Sequence, residues 1–289
     1  MTEDKLEFFW DRAIQDLLDC KISGAILSVL AKQTYDSIRR IEVYKAYEIR
    51  AILAVEKKQA FFDTSNPFVL GQRTDLSEEE RIWIIFLATY FGKSDSSGWE
   101  LFNRAAFDGN KSLISFKKIK EDPEKYFYYL ESFDFFENSK FSNHRKYTKK
   151  SLIGPKGLFT SMIYLINKME QYCINEEMGF HEMYKLAEKI PNFGRLASFD
   201  FTSSLVKCGL KIEEPKSMYA NYSTGPLQAL ELLLRLTDSD FTYQSKINLS
   251  HNLVEWFTTN SEIFMVGQVL EDAICNWQKN PKKYIYYTG

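Results

Sequence analysis

The segment 190–201, IPNFGRLASFDF, sets Asn192, Gly194 and Arg195 in a turn between two helical patterns and carries Asp200 on the far side. Consecutive backbone N–H groups in such a turn, aided by the positive end of the following helix, can point at one phosphate of a nucleic acid. Asn192 and Gly194 would supply the turn. Arg195, in the first turn of the second helix, would add a charge-assisted contact to the same or a neighbouring phosphate. The same letters also describe an ordinary helix–helix corner with an arginine facing solvent. Asp200 sits between Phe199 and Phe201 on an otherwise apolar helix. A carboxylate buried there is expected to have the perturbed acidity that suits a functional site, whereas a solvent-facing one would have none.

A second chemical feature is electrostatic. Between residues 139 and 157, SKFSNHRKYTKKSLIGPKG holds six Lys or Arg, one His and no acid, in a chain whose formal net charge is only −2. Arg145, Lys146, Lys149 and Lys150 have the types needed to track a phosphate backbone, and His144 or Tyr147 could stack on or hydrogen-bond a displaced base. A solvated basic loop is the plain alternative. In YSTGP, the Thr224 hydroxyl and the Gly225 amide could line a pocket, although a capped helix start with Pro226 in its first turn accounts for the same residues. The three histidines show no ligand spacing, and the four cysteines, Cys20, Cys173, Cys208 and Cys275, lie far apart. No metal and no cofactor is expected from these patterns.

The elements that must position these groups are helical. LEFFWDRAIQDLLDC puts Leu6, Phe9, Trp10, Ala13, Leu17 and Leu18 on one face, and residues 23–63 continue as one or two helices up to the turn at Pro67. LSEEERIWIIFLATYFG has Ser77 as N-cap, glutamates in its first turn and Gly92 as its stop. Further helical patterns follow to the end of the chain, about ten in all, so the fold class is all-α. Glycine patterns of nucleotide-binding folds, HExxH and fixed-period repeats are missing. With 289 residues, 45% of them hydrophobic, the chain can bury a large core in one domain or two lobes. No apolar run reaches the length of a membrane span and the N-terminal residues show no secretory pattern, so a cytoplasmic location is expected.

Three blocks carry a resemblance: NHRKY at 143–147, FGRLASFDF at 193–201 and YSTGPLQALELL at 222–233, with IFLATYFG and WELFNR upstream. The hairpin IPNFGRLASFDF resembles the LPGxGxxxA turn of the helix-hairpin-helix DNA glycosylase superfamily. Together the blocks look more closely like the alpha-glutamyl/putrescinyl thymine pyrophosphorylases, a glycosylase-like family of base-hypermodification systems. The resemblance implies a helix-hairpin-helix domain over 66–289, with 1–65 as a helical segment packed on it. Bifunctional glycosylases carry a nucleophilic lysine where this chain has Leu196, so lyase chemistry is not implied. Ordinary members place a catalytic aspartate further along, where this chain reads KIEEP, which makes Glu214 a second candidate beside Asp200.

The resulting expectation is a monomeric DNA glycosylase that flips a modified pyrimidine out of double-stranded DNA and hydrolyses its N-glycosidic bond, as a defence against phages with hypermodified, possibly glucosylated, DNA. A carboxylate, Asp200 or Glu214, would stabilise the oxocarbenium-like transition state or position water. Two alternatives stand beside it. One is the transferase chemistry of the family's name, replacing a pyrophosphate on a hydroxymethylpyrimidine in DNA by an amine. The other is a module that binds modified DNA without catalysis.

Overall fold

Helix-end chemistry and apolar periodicity account for most of the architecture. The computed structural model describes residues 1–64, 66–142, 152–155, 157–173, 177–221 and 223–287. Its first four helices are α1 (Glu3–Leu18), α2 (Gly24–Glu56), α3 (Pro67–Leu70) and α4 (Glu78–Phe91). Then come α5 (Glu100–Ala106), α6 (Phe116–Glu121), α7 (Pro123–Glu131), α8 (Leu158–Lys168) and α9 (Phe180–Ala187). The last four are α10 (Arg195–Lys207), α11 (Thr224–Leu236), α12 (Tyr243–Asn260) and α13 (Val266–Trp277). Among the described residues there is no strand, so the all-α class holds. No helix among them is long and apolar enough to cross a membrane.

By their contacts the residues group into two units, Met1–Val43 with Glu214–Gly289, and Tyr44–Glu213. In the first, α1 buries Leu6, Phe9, Trp10, Ala13 and Ile14, the stripe that a 3.6-residue period demands. Phe9, Trp10, Ala13 and Ile14 join Leu30, Leu230, Leu253, Phe257, Leu270 and Trp277 in one apolar core. The indole N–H of Trp10 is satisfied inside that core by Thr34 Oγ1 at 2.8 Å. Helix α11 lies against α13 and α12, and two glycines in this unit allow close approaches, one between α11 and α13 and one between α13 and the segment before α11. A β-carbon on Gly225 would meet Cys275 Sγ at 2.5 Å, and one on Gly267 would meet the Pro215 and Ser217 carbonyl oxygens at 2.5 Å.

The second unit is organised on α4. Ser77 and Glu80 form a reciprocal capping box at its start, and Gly92, at φ 63°, ends it. From Ile82 to Phe91 every residue is buried, as expected of a helix that is apolar all round. Phe86 stacks on Phe193 with ring centroids 5.7 Å apart, and Phe193 meets Phe201 at 5.9 Å. Through such contacts α10 packs on both α4 and α9.

Candidate functional site

The hairpin expected at 190–201 is present as α9, a turn and α10. Its left-handed residue is Asn192, at φ 67°, whereas Gly194 is extended at φ −94° and ψ −177°. The conformational demand of the turn therefore falls on asparagine, one of the residues that tolerate this region best. Asn192 Nδ2 donates to Ser161 Oγ at 3.0 Å and to the Gly157 carbonyl at 3.3 Å, and Ser161 in turn donates to the Pro191 carbonyl at 2.6 Å. These bonds tie the turn to α8. Tyr90 of α4 joins the cluster: burial pushes its phenol up to about 12, against the opposing effect of hydrogen bonding with Ser161 and Asn192.

Gly194 is exposed and a β-carbon there would touch nothing within 4 Å. As N-cap of α10 it leaves the first turn without a side-chain cap. Arg195 is half-buried and acts electrostatically on Tyr184 of α9. Leu196 is 37% exposed.

From Ala197 to Val206, every residue of α10 except Asp200 is buried; Asp200 is half-buried. Asp200, Ser204 and Lys207 fall on one face at helical spacing. That face meets Tyr44 in the later part of α2. Burial, then the neighbouring Cys208, raise the Tyr44 phenol well above its ordinary value; Ser204 opposes by hydrogen bonding, and Tyr47 and Asp200 add to the rise. Lys207 Nζ lies 4.7 Å from the Tyr44 ring centroid. Asp200 is thus at the rim of a polar and aromatic cluster.

Glu214 is engaged elsewhere. Its Oε2 accepts the Met265 N–H at 2.6 Å, just before α13, where a negative charge complements the helix dipole. Thr224 is exposed at the first position of α11, while the half-buried Gly225 is occupied by the close approach of Cys275. Ser223 precedes them as N-cap, but its hydroxyl donates back to the Ala220 carbonyl at 2.6 Å. His144, Arg145, Lys146, Tyr147, Lys149 and Lys150 lie outside the described residues. Among the described residues no group of three His, Cys, Asp or Glu side chains is arranged to hold a metal ion.

Across residues 25–289 the chain matches alpha-glutamyl/putrescinyl thymine pyrophosphorylase clade 3. It belongs to this family. No curated protein and no solved structure matches the chain. The match corrects the expectation of base excision. A thymine pyrophosphorylase family is named for chemistry at a pyrophosphate on a modified base, which agrees with the transferase alternative and not with hydrolysis of the glycosidic bond.

In this pyrophosphorylase-family chain the residues missed by sequence reasoning are Tyr44, Tyr90, Ser161 and Lys207. The tyrosine pair Tyr44 and Tyr47, one helical turn apart, was a readable signal. Ser161 was not, because its partners Pro191 and Asn192 are distant in sequence. Two clefts of about 420 and 430 Å³ in the Tyr44–Glu213 unit share Asp108 and Tyr129, and neither is lined by a residue chosen from the sequence.

Proposed function

We propose that this protein is a DNA-modifying transferase that replaces the pyrophosphate of a pyrophosphorylated 5-hydroxymethylpyrimidine by an amine such as glutamate or putrescine. The observation that carries this reading is family membership over residues 25–289. The amine nitrogen forms a bond to the 5-methylene carbon. The bond from that carbon to the pyrophosphate oxygen breaks, its electron pair leaves on pyrophosphate, and the nitrogen gives up one proton.

Asp200 is the residue assigned to hold the incoming ammonium and take that proton. Its support is position: it is the only residue between Ala197 and Val206 that is not buried, and it acts on Tyr44. Glu214 is the less favoured carboxylate because its oxygen serves the Met265 N–H. The exposed start of α10, with Asn192, Gly194 and Arg195, is assigned to a DNA phosphate. Arg145, Lys146, Lys149 and Lys150 are assigned to the flanking backbone and His144 and Tyr147 to the extruded base. Thr224 and Gly225 are assigned to the wall of the base pocket, where Gly225 also faces Cys275. The partner is double-stranded DNA carrying the modified base, which must leave the stack to be reached.

The test is incubation with DNA bearing the pyrophosphorylated base and either glutamate or putrescine, followed by nucleoside mass spectrometry. A nucleoside heavier by the amine, with release of pyrophosphate, is expected. An abasic site, or DNA unchanged with every amine offered, would overturn the reading.

A further inference from the structure

After α13 the chain runs on through residues 284–287 without regular structure, yet side chains of α2 hold it in place. Gln33 Nε2 donates to the Ile285 carbonyl at 2.8 Å and Arg40 Nη1 to the Tyr287 carbonyl at 3.0 Å. Tyr284 donates its hydroxyl to Asp36 Oδ2 at 2.6 Å. Asp272 of α13 fixes the anchor, accepting from Arg40 Nε at 2.9 Å, Arg40 Nη2 at 2.7 Å and Ser37 Oγ at 2.8 Å. Gln33, Asp36, Ser37 and Arg40 recur at the spacing of one helical face. Gln33, Asp36 and Ser37 are each at most 5% exposed. Burying so much polar surface gains nothing over apolar packing unless the segment it holds must sit in one place.

What that segment presents outward is basic and aromatic. Lys282 and Lys283 are exposed, and Tyr286 is 58% exposed. Lys279 Nζ lies 4.3 Å from the Tyr287 ring centroid, and Lys32 Nζ 5.9 Å from that of Tyr284. Arg39 is exposed on the same helix as Lys32. Among the described residues, none of Lys32, Arg39, Lys279, Lys282 and Lys283 is in an ion pair. Of the nearby carboxylates, Asp36 is buried against Tyr284, Asp272 is 36% exposed but paired with Arg40, and Glu3 is close enough to Tyr284 to act on it.

We propose that residues 279–287, with the Lys32–Arg39 stretch of α2, form a second DNA-contacting surface, and that its occupant is an unpaired DNA strand. Lysines neutralise the phosphates of any strand. An exposed tyrosine ring adds affinity only where a base is free to stack on it, and it does so without regard to sequence. Extruding a base for modification opens the duplex locally and exposes such bases. The choice of DNA as partner rests on the proposed function; the surface itself does not depend on the transfer chemistry.

The test is binding of the full chain to fluorescent oligothymidylate and to an unmodified duplex across a salt series. Lys282→Ala/Lys283→Ala should lower the slope of log affinity against log salt for the single strand by about 1.4, two phosphates at about 0.7 each. Tyr286→Ala should weaken single-strand binding by about five- to 150-fold and leave the duplex unaffected. Because the three side chains are exposed, thermal midpoints should not move, and a variant that melts early is replaced by Lys282→Gln/Lys283→Gln or Tyr286→Ser. Unchanged affinity and slope on the single strand would overturn the proposal. An equal loss on duplex with Tyr286→Ala would overturn the unpaired occupant. Neither readout needs a modified base or an amine, so failure of the transfer assay with these losses intact would sink the proposed function and leave this surface standing.

Discussion

Gly225 of α11 faces Cys275 of α13 so closely that a β-carbon at position 225 would lie 2.5 Å from the Cys275 sulfur. The next nearest atom, Cys275 Cβ, would be at an ordinary 3.6 Å. The clash is therefore with one atom. Gly225→Ala should destabilise the protein by about 1–3 kcal/mol, the usual cost of overpacking. Adding Cys275→Ala should recover much of that loss, so the two changes are non-additive in denaturant titrations. Additive losses would show that α11 and α13 do not approach as described.

Arg73 and Asp75 form a two-point ion pair, Nε to Oδ1 at 2.9 Å and Nη2 to Oδ2 at 2.7 Å, with the arginine side chain 2% exposed and the aspartate 36%. Arg73 also donates to the Gln59 carbonyl at 3.0 Å and covers the Phe61 ring. The hydrogen bonds from Arg73 hold the Asp75 carboxyl below its ordinary value, against the opposing effect of burial. A carboxyl whose pKa is lower in the folded state contributes stability that is complete above the unfolded value, about 3.9, and is lost as pH falls through the folded one. Asp75→Asn should cost about 2 kcal/mol near neutrality, less than a wholly buried pair because water reaches the carboxylate side. The gap between wild type and variant should close as pH is lowered below 4, read from urea midpoints at each pH.

Asn192 combines a left-handed backbone with two side-chain bonds to α8, and substitution can separate the two. Asn192→Gly keeps the backbone and loses the bonds, for about 1 kcal/mol. Asn192→Ala loses both and should cost about 1 kcal/mol more. Equal unfolding free energies for the two variants would contradict the strained conformation.

Much of the frame is legible in local sequence because local chemistry causes it. Ser77, Glu80 and Gly92 bound α4, and the 3.6-residue stripe from Leu6 to Ala13 marks α1. Residues 24–56 form one uninterrupted helix, and no glycine or proline after Gly24 would break it. The hairpin was readable as a hairpin, but the left-handed role passed to Asn192 rather than Gly194, since both residue types accept that region. The buried polar face of α2 answers to Ile285 and Tyr287, partners that no local window contains. The excision reading failed for a chemical reason. A turn that can grip a phosphate and a helix that carries an acid describe how DNA could be held, and they are silent on which bond is broken. The family match is what turned the reading from the glycosidic bond to a pyrophosphate on the base.

Asp200 and Glu214 make opposite predictions, and one pair of variants separates them. If Asp200 takes the proton of the incoming amine, Asp200→Asn should lower transfer by about 10²–10⁴-fold while DNA binding and thermal stability stay near wild type. The side chain is half-buried and asparagine has its shape, so no cavity is created. Glu214→Gln should do the reverse. Its amide oxygen can still accept the Met265 N–H, but the negative charge at the start of α13 is lost, for about 0.3–1 kcal/mol of stability and no loss of transfer. Raising the pH should partly restore a variant that lacks the base, because more of the amine is then already neutral, and such rescue in Asp200→Asn alone would assign the proton to Asp200. Loss of transfer with pH rescue in Glu214→Gln, and none in Asp200→Asn, would move the chemistry to the carboxylate beside α13.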